Sequence, residues 1–152
     1  MNKHLFFAAF LISLSSTAWA QESTWRKDIN PIIKAKCGVC HNAKAPDYWE
    51  WQQMKNRDKV SPRMVGYGDF MNYVVWPATG AQMRRLDDGK ASGKPGNMNI
   101  YLGSTGEERS KNLKTIKEWL GGDDAWFTNR WDARGSTPAV TKDQLNKIKA
   151  KY

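Results

Sequence analysis

Cysteine and histidine are scarce in this chain: Cys37 and Cys40 are its only cysteines, His4 and His41 its only histidines. A plain disulfide between the two cysteines, across four residues, would leave His41 unexplained. The two thiols also fall short of a structural zinc site, which takes two Cys pairs or a Cys pair with a distant His pair. Long apolar runs are missing as well. The longest, Leu5 to Leu14, covers ten residues, about half of what a membrane-spanning helix needs. No segment recurs at a fixed period, which excludes a solenoid and a second copy of any binding lobe. Acidic residues are outnumbered 15 to 24 by lysine and arginine, leaving a formal charge of +9.

The short apolar run has a purpose of its own. A basic head, Met1-Asn2-Lys3-His4, precedes it, and Ala18-Trp19-Ala20 follows before Gln21, which is the pattern of a secretory signal peptide cleaved after Ala20. Residues 1–20 are therefore expected to be a leader and 21–152 a single exported domain, periplasmic and without a membrane span. No Cys follows the cleavage position, so a lipid anchor is not expected there. Without its leader the chain has 132 residues and a charge of +8, enough length for one hydrophobic core.

What the chain does have is Cys37-Gly38-Val39-Cys40-His41, the C-x-x-C-H attachment signature of a c-type haem. Two thiols held on one turn can form thioethers to the two haem vinyl groups, and the residue after the second thiol lands under the iron. One covalent haem c with His41 as proximal ligand follows. A thioredoxin-like reading would need a preceding strand, and the residues before Cys37 read as a helix start. With the leader removed His41 is the only histidine, so one chain cannot supply a bis-histidine iron. Met54, Met64, Met71, Met83 and Met98 are available for the distal side; a lysine, a water or an open position also fits this count.

Along the mature chain, Asn30-Pro31 reads as an N-cap and first helical position, opening a short helix that delivers Cys37. Tyr48 to about Arg57 reads as helix. Val74-Val75-Trp76 suits a strand that has nothing to pair with. Ala81 to Leu86 predicts a helical turn with Met83 and Leu86 on its apolar side. Gly80 to Gly106 holds six of the twelve glycines and reads as a long irregular segment of the kind that is usually functional or disordered. Ser104 with Glu107, or Thr105 with Glu108, fits a capping box. Leu113, Ile116, Trp119 and Leu120 then share one helical face up to Gly121-Gly122. Trp126, Phe127 and Trp131 are free to pack, and Thr141 begins a short basic helix.

The Asn-Pro-Ile-Ile helix into Cys37-x-x-Cys40-His41, the Pro95-Gly96-Asn97-Met98 loop and the Ile116-Lys117-Glu118-Trp119-Leu120 helix together resemble the small bacterial monohaem c-type cytochromes of class I character, over roughly residues 25 to 122. The resemblance implies a mainly α fold in which class I cytochrome c-like helices wrap one covalently attached haem. It places extra loops at 47–80 and a C-terminal extension at 123–152. It implies Met98 as distal ligand, ahead of Met83, which a helical turn would point at the core. It also makes Trp119 a packing residue and Pro46 the carbonyl acceptor of the His41 ring.

The function expected is one-electron transfer rather than catalysis. A Met/His iron has no vacant site and a raised potential. The rivals are a haem enzyme or ligand-binding haem protein with an open distal site, in which Arg84 or Arg85 would have to assist, and an electron-transfer subunit of a periplasmic dehydrogenase. The basic surface would steer encounter with acidic redox partners. Nucleic acid is not an expected partner, and a monomer is. The seven tryptophans of the mature chain read as packing around a large flat cofactor more readily than as an electron path.

Overall fold

A computed structural model describes residues 22–90, 92–128 and 140–152 of the chain. The leader expected at 1–20 and Trp131 lie outside the described residues. Six α-helices are described: α1 (Asn30–Cys37), α2 (Tyr48–Gln53), α3 (Tyr67–Met71), α4 (Ala81–Leu86), α5 (Gly106–Leu120) and α6 (Lys142–Asn146), with tighter turns at Asn99–Leu102 and Asp123–Ala125. There is no strand among the described residues, and Val74 and Val75 instead follow α3 in a run of turns.

The start of α1 differs from expectation. A wide π-type turn, Trp25–Ile29, precedes it, and Thr24 is the cap: its Oγ1 accepts from Lys27 N while its own N–H donates to Asp28 Oδ2 at 2.7 Å. Asn30 already has helical dihedrals, and its Oδ1 is buried without a hydrogen-bond partner among the described residues. Pro31 explains the widening. It has no N–H to continue a regular helical ladder, and an i→i+5 turn at its N-terminal side absorbs the missing bond.

α5 forms where expected. Thr105 Oγ1 accepts from Glu108 N at 3.1 Å, but the Glu108 carboxylate reaches back to Ser104 N at 2.7 Å rather than to the cap residue itself. Leu113, Ile116, Trp119 and Leu120 are buried. The helix stops at Gly121, whose φ of 125° favours glycine and where a Cβ would lie 2.4 Å from Lys147 O.

α5 packs against the Trp25–Ile29 turn and the Asn99–Leu102 turn, which in turn rests on α1. Trp25, Ile29 and Ile33 meet the α5 face, with Phe70, Val74, Met83 and Leu86 completing the core. Trp25 sits 5.5 Å from Phe70 and 5.7 Å from Trp119, ring centre to ring centre. An ion pair between Lys36 and Glu108 joins the end of α1 to the start of α5.

Several described C-terminal residues belong to this core. Ala125, Trp126, Phe127 and Ala150 are buried in it. Lys151 O accepts from both Trp25 N (2.8 Å) and Trp119 Nε1 (2.7 Å), and Ala150 O accepts from the Tyr67 hydroxyl (2.8 Å). Residues 47–80 build a second, smaller cluster from Tyr48, Met64 and Tyr73.

Candidate haem site

The attachment motif starts on the last residue of α1. His41 N bonds Cys37 O at 2.8 Å and Cys40 N bonds the same oxygen at 3.2 Å, so both thiols and the imidazole lie on one reverse turn. Gly38 allows it: a Cβ there would come within 2.3 Å of Lys34 O. Val39 projects outward and is 85% exposed. Burial, and then the neighbouring Cys40, push the Cys37 thiol up to about 11.

His41 Nδ1–H donates to Pro62 O at 2.5 Å. This corrects the assignment of Pro46 as acceptor. A turn closed by Ala45 N to Asn42 O carries Pro46 past the ring, and its carbonyl instead accepts from Arg63 N at 2.8 Å. Met64 N bonds His41 O at 3.2 Å, so residues 62–64 run alongside the motif and its exit. The expected insertion thus supplies the group that orients the His41 ring. Trp51 holds the intervening loop, donating from Nε1 to Val60 O at 2.7 Å. Burial lowers the pKa of His41, the Pro62 bond opposes this, and the charge of Arg85 lowers it further. With the proton fixed at Nδ1, the lone pair is at Nε2, the atom left for iron.

The methionines separate by environment. Met83 is completely buried and Met64 5% exposed, each in a hydrophobic cluster. Met98 is half-buried and, like Cys37, lies at the margin of the main core. Its N–H donates to Arg85 O at 2.9 Å, and the Arg85 charge is felt at both His41 and Tyr73. Arg85 thus holds the Met98 loop through its carbonyl and carries a charge that acts on the His41 ring.

These residues fit a haem. Two thiols and an imidazole with a free Nε2 are the donor set of haem c. Ile32, Met71 and Val75, like Cys37 and Met98, are half-buried against the main core. The Tyr73 hydroxyl is buried with no hydrogen-bond partner among the described residues. A buried orphan donor costs about 1–3 kcal/mol, and a propionate carboxylate is an acceptor of the right kind, with Arg85 as its counter-charge. Burial, followed by Tyr48, raises the pKa of Tyr73, so it stays a donor.

Comparison with known proteins agrees with that chemistry. The PccH cytochrome c family model matches residues 24–152. The chain belongs to that family. A solved structure of the monohaem cytochrome PccH from Geobacter sulfurreducens is 42% identical, with a TM-score of 0.72 over 86% of this chain and 99% of that one. Comparison with curated proteins returns no match. The cofactor of this cytochrome is one covalently attached haem c, its fold is the helical cytochrome c fold, and its general role is electron transfer by a haem protein with redox partners. Among the described residues no helix is long and apolar enough to cross a membrane. Pro62 is absent from the sequence reading of the site, and no spacing rule marks it, because it lies 21 residues from the ring it orients.

Proposed function

We propose that this cytochrome is a periplasmic one-electron carrier whose haem is held by Cys37 and Cys40 and ligated by His41 and Met98. The observation that carries the reading is the His41 Nδ1–Pro62 O bond, which leaves Nε2 as the ligating atom. The half-buried Met98 loop is tied by its backbone to Arg85, whose charge reaches that same ring. When bound, haem c supplies an iron that cycles between ferric and ferrous. The chain's part is to orient the imidazole through Pro62, to hold the thioether in the loop, and to exclude water with the core margin. Tyr73 and Arg85 would take a propionate. Met83 is favoured less than Met98 because its buried place in the core is that of a packing residue.

The leader ending at Ala20 supports export to the periplasm. Exposed Lys34 and Lys44, five positions either side of the protruding Val39, support docking of a monomeric carrier onto an acidic partner. The test is the ferric absorption spectrum of exported holoprotein before and after Met98→Ala. Loss of the far-red band of Met–sulfur ligation, with a fall in potential, is expected. A wild-type spectrum that is already high-spin and binds carbon monoxide or cyanide readily would sink the closed-site reading. An unchanged Met98→Ala spectrum would transfer the ligand role to Met83.

A further inference from the structure

The glycine-rich segment leaves the end of α4 and returns to it at three consecutive carbonyls. Arg85 O accepts from Met98 N at 2.9 Å, Leu86 O from Asn99 Nδ2 at 2.8 Å, and Asp87 O from Gly96 N at 2.9 Å. The Asp87 side chain secures the start of the same segment. It is 1% exposed, and its Oδ2 accepts from Gly89 N (3.0 Å) and Ser92 Oγ (2.6 Å). Its other oxygen, Oδ1, accepts from Trp126 Nε1 at 2.9 Å in a bond buried from solvent. Trp126 follows α5 in the C-terminal segment, with Lys117 Nζ 5.3 Å from its ring centre.

We propose that Asp87 is a positioning residue for Met98, and that its bond from Trp126 makes the C-terminal segment a determinant of how firmly the distal methionine is held. This rests on the reading of Met98 as the ligand. A thioether is a neutral, soft ligand whose retention on iron depends on the loop that presents it. A buried carboxylate is tolerated only while its donors are in place, and each donor removed raises the free energy of the closed loop. Trp126 and Ser92 act on the same carboxylate from two parts of the chain, 126 from the core and 92 from the loop. Weakening either therefore loosens the segment that ends at Met98.

The experiment uses ferric holoprotein and imidazole as an entering ligand that displaces the methionine, followed by loss of the far-red band. Trp126→Phe keeps the aromatic ring and deletes the N–H; Ser92→Ala is an exposed-site change that leaves the core untouched. Each is expected to raise the rate of imidazole entry about tenfold or more, the effect of losing one hydrogen bond to a charged acceptor. Trp119→Phe is the control, since it deletes an indole N–H bonded to Lys151 O, far along the chain from this segment. It should lower the melting temperature and leave imidazole entry unchanged. Equal acceleration in all three variants, or in none, would overturn the proposal. A Met98→Ala holoprotein that keeps the far-red band would overturn the ligand reading and this proposal with it. Loss of that band on Met98→Ala, with Trp126→Phe and Ser92→Ala both exchanging at the wild-type rate, would overturn the Asp87 role alone.

Discussion

Gly96→Ala should be the most informative single-methyl change in the chain. A Cβ at Gly96 would sit 2.2 Å from Arg85 O and 2.3 Å from Arg84 O. Both neighbours are backbone, so no side chain can rotate away, and the loop must retreat by roughly 1 Å to reach ordinary contact. That retreat stretches three bonds that pin the segment, Gly96 N to Asp87 O, Met98 N to Arg85 O and Asn99 Nδ2 to Leu86 O. At about 1 kcal/mol for each bond the loss is about 2–3 kcal/mol. For a domain of this length that is a fall of roughly 8 °C in melting temperature. Gly68→Ala provides the opposite case. Gly68 lies in α3 with nothing within 4 Å of its would-be Cβ, and alanine there should stabilise by about 0.5–1 kcal/mol. Thermal unfolding of the two holoproteins followed by circular dichroism, with the far-red band recorded in parallel, gives both signs in one experiment. A Gly96→Ala protein that melts with the wild type and keeps its band would refute the close approach, and with it the account of how the loop is held.

Three further outcomes are expected. Removing Ala150–Tyr152 deletes the acceptors of Trp25 N, Trp119 Nε1 and Tyr67 Oη and should cost about 3 kcal/mol, read as a fall of roughly 10 °C in melting temperature; a truncated protein of wild-type stability would show that the C-terminus is not part of the core. Glu108 is held down at about 2 by Lys36 and by Ser104, so the stability it contributes is complete above its ordinary value near 4.5 and is lost as pH falls from there towards 2. Glu108→Gln should flatten that limb of the acid-unfolding curve, and an unaltered slope would show the ion pair to be inert. Tyr73→Phe should destabilise the holoprotein by about 1–3 kcal/mol through loss of a propionate bond. A neutral or stabilising effect in denaturant titration would show that the hydroxyl has no partner in the holoprotein either.

Much of this protein is determined locally. Cys37, Cys40 and His41 are adjacent in the chain, so their chemistry needs no tertiary information. The α5 helix is equally local, because Thr105, the apolar face from Leu113 to Leu120 and Gly121 each act within a few residues. Scarcity counts as much as presence, since removal of the expected leader would leave His41 as the one histidine and no second imidazole for a bis-histidine iron. Other features were settled only by the fold. The acceptor for His41 is Pro62 and not the nearer Pro46, because chain reversal through α2 and its loop brings a backbone carbonyl to the ring, and every residue has a carbonyl that could serve. The cap at Thr24 replaces the expected one at Asn30 because the Pro31 defect widens the turn before it. Ala150 joins the core where Lys151 O and Ala150 O find donors on three separate elements, and Trp126 and Phe127 join it after α5. Asp87 looks like one more polar residue until burial leaves its carboxylate dependent on Trp126, 39 positions away. Bonds between distant segments leave no periodicity and no spacing, since what selects them is the free energy of satisfying a buried polar group, and burial is a property of the folded chain.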